Sequence, residues 1–507
     1  MSNFLGIEFG STRIKAVAID DSFNTVASGD YVWKSDYTDG IWTYSLDEVQ
    51  KGLIEAVKGV SSAGTYDAMG VSAMMHGYLA FDAEWNLLVP FRTWQNTITA
   101  QAADELTSLF GFNIPQRWSI SHLYQAILNG EPHVGNIAHI TTLAGYVHYK
   151  LSGVNALGIG DASGMFPIGS DCANYDQDML DKFDSLIADK GFGWKIRDIL
   201  PDVLPAGANA GTLTESGSEY LGGLLPAGIS LAPAEGDAGT GMVTTNAISP
   251  RTGNVSAGTS IFSMVVLEKP LAKVYPEIDI VTTPTGKPVA MVHCNNCTND
   301  MNAWVGMLKE NAALFGAEPD TGDLYTKLYQ KSLEGDPDCG GVLCMNYMAG
   351  EGVTHIDNGR PFFIRKPDSN FTLANFMRAQ IFASMSTLAL GMEILAAEGV
   401  KIDSLTGHGG LFKTPVVGQS YMAAACKAPV TVMETAGEGG PYGMALLAAY
   451  SIMGGGKSLE EFLNEKVFAT AKSSTLEPKA EDVEGFEKYM EMFKLALSVE
   501  KAAAENL

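Results

Sequence analysis

Three groups of residues have the types and spacing that chemistry needs. The segment Ala234-Glu235-Gly236-Asp237-Ala238-Gly239-Thr240-Gly241 holds a carboxylate between glycines, just after the strand-like residues 229–232. A carboxylate so placed can align a hydroxyl and accept its proton, and small neighbours let two substrates approach its backbone, as phosphoryl transfer to a hydroxyl requires. Asp237 fits this role, although an aspartate opening a helix is also an ordinary cap. The second group is a pair of turns, Gly10-Ser11-Thr12 and Gly258-Thr259-Ser260. Turns of glycine and hydroxyl residues can present N–H groups to a phosphate. Either alone reads as a plain turn, whereas the pair reads as a clamp for a polyphosphate. Arg13 and Lys15 follow the first turn, and the sequence leaves open which of them faces phosphate. Third, Gly407-His408-Gly409-Gly410-Leu411 lies between the strand-like residues 402–406 and a helix near Thr414, offering bare backbone on which an adenine and ribose could lie flat.

The elements that must position these groups follow from hydrophobic periodicity. Residues 4–20 are a β-rich run, a turn and a second run ending in the alternation Ala16-Val17-Ala18-Ile19, which predicts a hairpin. Residues 253–268, GNVSAGTSIFSMVVLE, repeat that pattern, so one structural unit is duplicated. Helix-period segments at 45–60, 97–110, 120–128 and 140–151, with short β-like runs at 69–72 and 79–81, make the first half α/β. The second half is of the same class, with helices near 298–315, 373–398, 416–426 and 442–452 and strands near 289–294, 402–406 and 430–434. Residues 482–507 predict a charged amphipathic closing helix. The expected organisation is a first domain over 1–245 with the first turn, a second over 246–460 with the second turn and the glycine pair, and a helical extension over 461–507.

Composition narrows the partners. The chain has 507 residues, 46% hydrophobic and 18% charged, which suits a globular protein with more than one core. Its 33 basic against 58 acidic residues give a net charge of −25 without a basic run, so nucleic acid is not an expected partner. The longest apolar runs are about half the roughly 20 residues that span a bilayer, so no membrane segment is expected. The first residues show no basic stretch before an apolar core, and a cytoplasmic location is the expectation. Six cysteines are too sparse for a disulfide scaffold. Cys294-Asn295-Asn296-Cys297 has the spacing of half a zinc site but no second pair at useful distance, so buried reduced thiols are expected.

Taken in order, GIEFGSTRIK at the start, GDAGTG around Asp237, GNVSAGTS, Tyr347-Met348-Ala349-Gly350-Glu351 with Asp357 after it, Arg378-Ala379, GHGGLFKTP and GPYGMALLAAY resemble the FGGY carbohydrate kinases of the actin, hexokinase and heat-shock ATPase superfamily, over residues 4–455. The resemblance implies an α/β fold of two actin-like, ribonuclease H-like ATPase domains flanking a deep cleft. It also implies ATP as phosphoryl donor, Mg²⁺, a small sugar as acceptor and Asp237 as general base. Gly10, Ser11, Thr12, Lys15, Gly258, Thr259, Ser260, Gly409 and Gly410 are then the nucleotide-binding residues, and a homodimer is compatible with the family. Met74-Met75-His76-Gly77, Trp94-Gln95-Asn96 and Asp161-Ala162-Ser163-Gly164 look most like xylulokinase segments. Met75, His76, Trp94 and Asn96 are therefore the expected sugar-site residues, and a ketopentose, D-xylulose foremost, is the expected acceptor.

The alternatives are another acceptor on the same machinery (ribulose, a hexulose, a tetritol or glycerol) and, from a different class, an ATP-binding member of the superfamily that is not a kinase. A dinucleotide dehydrogenase is disfavoured because no G-x-G-x-x-G follows the first strand. The chain also departs from the family pattern. The usual aspartate of the opening motif is Glu8, one methylene longer, which alters its reach toward Mg²⁺ or the metal's water shell. The Asn-Asp pair is Gln95-Asn96, and the arginine that usually follows is missing, so a charge that orients the sugar is gone. Gln380-Ile381 replaces Glu-Gly, and Gly352 replaces the arginine of the Gly-Glu-Arg segment.

Overall fold

The apolar run at the start of the chain becomes the centre of a sheet. Phe4–Phe9 pairs antiparallel with Arg13–Ile19 and parallel with Ala68–Ala73, and Phe4, Leu5, Ile7 and Phe9 are fully buried. Thr25–Val32 extends the sheet beyond Arg13–Ile19, while Ser230–Leu231 and Glu235–Gly236 add parallel to Ala68–Ala73. Strands this apolar need cover. Helix Leu46–Lys58, opened by the Ser45 side chain accepting from the Glu48 N–H, packs on Arg13–Ile19 and Thr25–Val32. Helix Gly440–Met453 packs on Phe4–Phe9 and Ala68–Ala73. Its approach is so close that a Cβ on Gly6 would overlap the Pro441 carbonyl, which explains a glycine inside a buried strand.

The computed structural model describes residues 2–434 and 439–507, which form two units. The first comprises Met1–Ile248, Asp279–Val289 and Glu438–Thr470, and the second Ser249–Ile278, Ala290–Gly437 and Ala471–Leu507. Each unit is thus assembled from separated segments of the chain. Residues from Pro441 to Ala449 are all buried, so this helix has no polar face to leave in water and is covered by the first unit's sheet. It belongs with the first hairpin rather than with the second half of the chain.

In the second unit, Thr252–Ala257 pairs antiparallel with Ile261–Val266 and parallel with Ser404–His408. Ser404–His408 continues parallel to Val430–Met433, which pairs antiparallel with Ser473–Leu476. The plan of the first unit recurs: a hairpin whose first strand is also the edge of a parallel pair. Helix Leu373–Ala397 is apolar and long enough to cross a membrane, but 78% of its most apolar window is buried within the protein. Its Arg378 donates to Asp482 at 2.6 Å, and Tyr489 donates to the Cys344 and Ala379 carbonyls at 3.0 and 3.1 Å. These bonds tie the closing helix, Ala480–Asn506, into the second unit.

Candidate active site

Asp237 begins helix Asp237–Thr244 directly after the strand Glu235–Gly236. Its Oδ1 accepts the Met75 N–H at 3.2 Å. The residue is half-buried, and protein replaces most of the carboxylate's water. That loss of hydration pushes the carboxyl from 3.8 up to about 6, while the N–H groups of Met75 and Ala238 pull it down. A group in this range is ionised at neutral pH and still basic enough to take a proton in a transition state.

Three further carboxyls gather near it. Glu8 sits in register with Lys15 across the first hairpin. Lost hydration and the Asp237 charge raise Glu8 to about 7, with Lys15 acting against them. A Cβ on Gly440 would overlap Glu8 Oε1 and lie 3.1 Å from Thr240 Oγ1, so the extra methylene of Glu8 is accommodated against bare backbone. The N-cap Gly439, at φ +79°, has its Cβ position 4.0 Å from Lys15 Nζ. Arg13 instead pairs with Asp30 at 2.5 Å, both half exposed, which leaves Lys15 as the cation of this cluster. Below lie Asp161 and Glu235, both buried. Glu235 accepts the N–H groups of Asp161 (3.1 Å) and Gly160 (3.4 Å), and Asp161 accepts the Thr142 hydroxyl at 2.6 Å. Burial and like charge raise Glu235 to about 8 and Asp161 to about 7.

Of the expected sugar residues, Met75 and His76 come to Asp237. Met75 is fastened by its N–H, and its side chain packs against Gly236 and Gly164. His76 adopts φ +67°, its Nδ1 lies 3.1 Å from the Gly164 carbonyl, and its ring stacks on Trp118. The Asn96 side chain is bonded through both of its amide atoms. Its Oδ1 accepts the Trp42 N–H at 2.8 Å, and its Nδ2 donates to the carbonyls of Trp42 and Thr93, both at 2.9 Å. The amide oxygen and one amide hydrogen thus hold Trp42, in the hairpin of Asp36–Thr38 and Ile41–Thr43, and the other hydrogen holds Thr93. Trp94 is partly exposed on the same loop, and beside it Gln95 has a buried Oε1 with no partner.

Both turns have their carbonyls pinned from behind. In the first, Gly10 N–H donates to Arg13 O at 3.0 Å, and the carbonyls of Gly10, Ser11 and Thr12 accept from Trp33 Nε1 (2.7 Å), the Tyr44 hydroxyl (2.7 Å) and Trp33 N–H (3.2 Å). In the second, Gly258 N–H donates to Ser260 O at 2.9 Å. There the Gly258 carbonyl accepts from the N–H and hydroxyl of Thr298, at 3.2 and 2.8 Å, and the Thr259 carbonyl from Cys297 N–H at 3.1 Å. An anion arriving at either turn would meet N–H and hydroxyl groups without free carbonyls to repel it. Gly409, at φ +98°, packs so tightly that a Cβ would overlap the Ala257 carbonyl, and this places Gly409 and Gly410 beside the second turn.

Among the described residues no group of three or more His, Cys, Asp or Glu side chains could hold a metal ion. Cys294 and Cys297 are reduced and buried, and burial pushes both thiols up. The sequence reading missed Thr240, Glu235, and the place of Gly440 beside Glu8 and of Gly439 beside Lys15. A glutamate two residues before Asp237, in a run otherwise apolar and small, was the one local signal.

The N-terminal domain model of the FGGY family of carbohydrate kinases matches residues 3–244, and the C-terminal domain model matches residues 253–452. The xylulose kinase of Haemophilus influenzae is 21% identical, over 98% of this chain and 99% of that protein, and the xylulose kinase of Staphylococcus xylosus is 20% identical, over 89% and 91%. Among solved structures, the ligand-bound xylulose kinase of Lactobacillus acidophilus superposes with a TM-score of 0.82 at 16% identity, covering 100% of this chain and 99% of that one. The glycerol kinase of Plasmodium falciparum with ADP gives 0.77 at 14% identity, covering 99% and 98%. With both domain models matched in order, the chain belongs to the FGGY family of carbohydrate kinases and is a two-domain α/β sugar phosphotransferase.

Proposed function

We propose that the chain transfers the γ-phosphoryl group of ATP to the terminal hydroxyl of a ketopentose, D-xylulose foremost, giving D-xylulose 5-phosphate. The observation that carries the reading is the Met75–Asp237 bond, which joins the segment resembling the xylulokinase sugar site to the carboxylate suited to be the base. The curated relatives named xylulose kinase, at 20 to 22% identity, support the choice of acceptor. Asp237 aligns the hydroxyl and takes its proton as the new O–P bond forms, and ADP carries away the electrons of the bond that breaks. Ser11 and Thr12, with Thr259 and Ser260, offer N–H and hydroxyl donors to the β- and γ-phosphates. Lys15 offsets their charge, and Gly409 and Gly410 receive the adenosine. Mg²⁺, when bound, neutralises phosphate charge, and Glu8 would reach it through water. Met75 and His76 line the acceptor side.

The test is ADP release from Mg-ATP across pentuloses, hexuloses, pentitols, tetritols and glycerol. D-xylulose should give the highest kcat/KM. A higher value for another polyol would replace the acceptor and keep the machinery, whereas no stimulation by any of them, with ATP bound, would overturn the kinase assignment.

A further inference from the structure

We infer that Glu351 is a positioning residue for the second turn, Gly258–Ser260, acting through the bend at residues 295–298. This rests on the reading of that turn as a phosphate site. Glu351 is only 2% exposed, and among the described residues it forms no ion pair. The residue after it is Gly352, so no neighbouring cation balances the carboxylate. A buried carboxylate in that situation must be held by hydrogen bonds or it costs stability. Its backbone is fixed first: N–H and carbonyl both pair with Ile356, at 2.6 and 3.2 Å.

One oxygen of the side chain, Oε2, is then spent on the bend. Oε2 accepts the N–H of Asn295 at 3.0 Å, the N–H of Asn296 at 3.3 Å and the Asn296 Nδ2 at 3.1 Å. Asn296 answers in the other direction. Its Oδ1 accepts the N–H groups of Met348 (2.8 Å) and Ala349 (3.0 Å), and its Nδ2 donates to the Ala349 carbonyl at 3.1 Å. Asn346 adds a bond from Nδ2 to the Cys297 carbonyl at 2.8 Å. The bend, which joins the strand Pro288–Cys294 to the helix Asn299–Leu314, is thereby locked to the loop that carries Glu351.

The next two residues of the bend are those that hold the turn. Cys297 N–H reaches the Thr259 carbonyl, and the N–H and hydroxyl of Thr298 reach the Gly258 carbonyl. The two carbonyls that must be kept away from an incoming phosphate are therefore held by the segment that Glu351 fastens. Removing the carboxylate frees two peptide N–H groups and one amide in a buried place, and the bend relaxes to find them partners. The turn then loses its preorganisation for an anion, while Met75, His76 and Asp237 in the other unit keep all their bonds. Nucleotide binding should suffer and sugar binding should not.

The experiment uses the full-length enzyme and two variants, Glu351→Ala and Glu351→Gln. ADP affinity of the unaltered protein is measured first by calorimetry, and its absence would defeat the phosphate reading of the turn and this inference with it. With ADP bound, Glu351→Ala should raise the ADP Kd and the ATP KM together by about tenfold while the sugar KM stays within about twofold. Glu351→Gln keeps an oxygen for the three donors and should restore both values to within about threefold. Equal rises in the ATP and sugar KM, no rise in either, or a glutamine variant as impaired as the alanine one would overturn the assignment and leave the phosphate reading standing. Should the alanine variant fail to fold by circular dichroism, Thr298→Val removes only the hydroxyl bond to Gly258. It should weaken ADP binding several-fold, and unchanged binding would overturn the inference.

Discussion

The Met75 N–H donates to Asp237 Oδ1 at 3.2 Å, across a separation of 162 residues in sequence. The bond makes one rigid piece of the segment that bears His76 and the start of helix Asp237–Thr244. It also consumes a lone pair of the carboxylate on the protein side, which fixes the direction from which an acceptor hydroxyl can use the rest.

The rate should fall in acid because Asp237 must be ionised to accept a proton. Its carboxyl is raised from 3.8 to about 6 by lost hydration, so the protonated, inactive form accumulates as pH falls through that value. At subsaturating sugar, kcat/KM should be level above about pH 7 and drop about tenfold per unit below about pH 6. A profile with its acid limb near pH 4 would show that Asp237 is hydrated as freely as a surface carboxylate.

Gly440 should tolerate no side chain while Glu8 is present. A Cβ there overlaps Glu8 Oε1, so Gly440→Ala should displace the carboxylate and lower kcat by more than about tenfold. Adding Glu8→Asp withdraws the carboxylate by one methylene and should recover part of that loss. A double variant worse than the single one would contradict the packing of Glu8 on Gly440.

Asn96→Ala should act through the hairpin it holds. Three hydrogen bonds to Trp42 and Thr93 disappear, but Trp42 is 36% exposed and its backbone can find water. Stability should fall by about 1 kcal/mol, read in thermal unfolding. The sugar KM should rise as the loop bearing Trp94 and Gln95 loosens, with the ATP KM unchanged.

Much of this arrangement was legible in the residues. The hairpins 4–20 and 253–268 announced themselves through alternation around a glycine and hydroxyl turn, and the structure shows them at matching places in the two sheets. Helices such as Leu373–Ala397 followed from length and apolar density. What stayed hidden depended on facts that periodicity does not encode. A helix apolar on every side, like Gly440–Met453, carries no mark of which sheet will cover it. The hairpin of Asp36–Thr38 and Ile41–Thr43 is too short and exposed to show alternation. Asn96 has the donors and acceptor of a sugar ligand, and only the fold reveals its bonds to Trp42 and Thr93. The carboxyl cluster assembles Glu8, Asp161, Glu235 and Asp237 from three distant segments, and nothing local to any one of them predicts its raised pKa.

The central claim is that Asp237 accepts the proton of the acceptor hydroxyl. The measurement that tests it most directly is sugar-stimulated ADP release by Asp237→Ala beside the unaltered enzyme, with Mg-ATP and D-xylulose at saturation. The account predicts a fall in kcat of about 10²–10⁴, the usual share of general base catalysis, with the ATP KM within about threefold. Full turnover in the alanine variant would remove Asp237 from the mechanism.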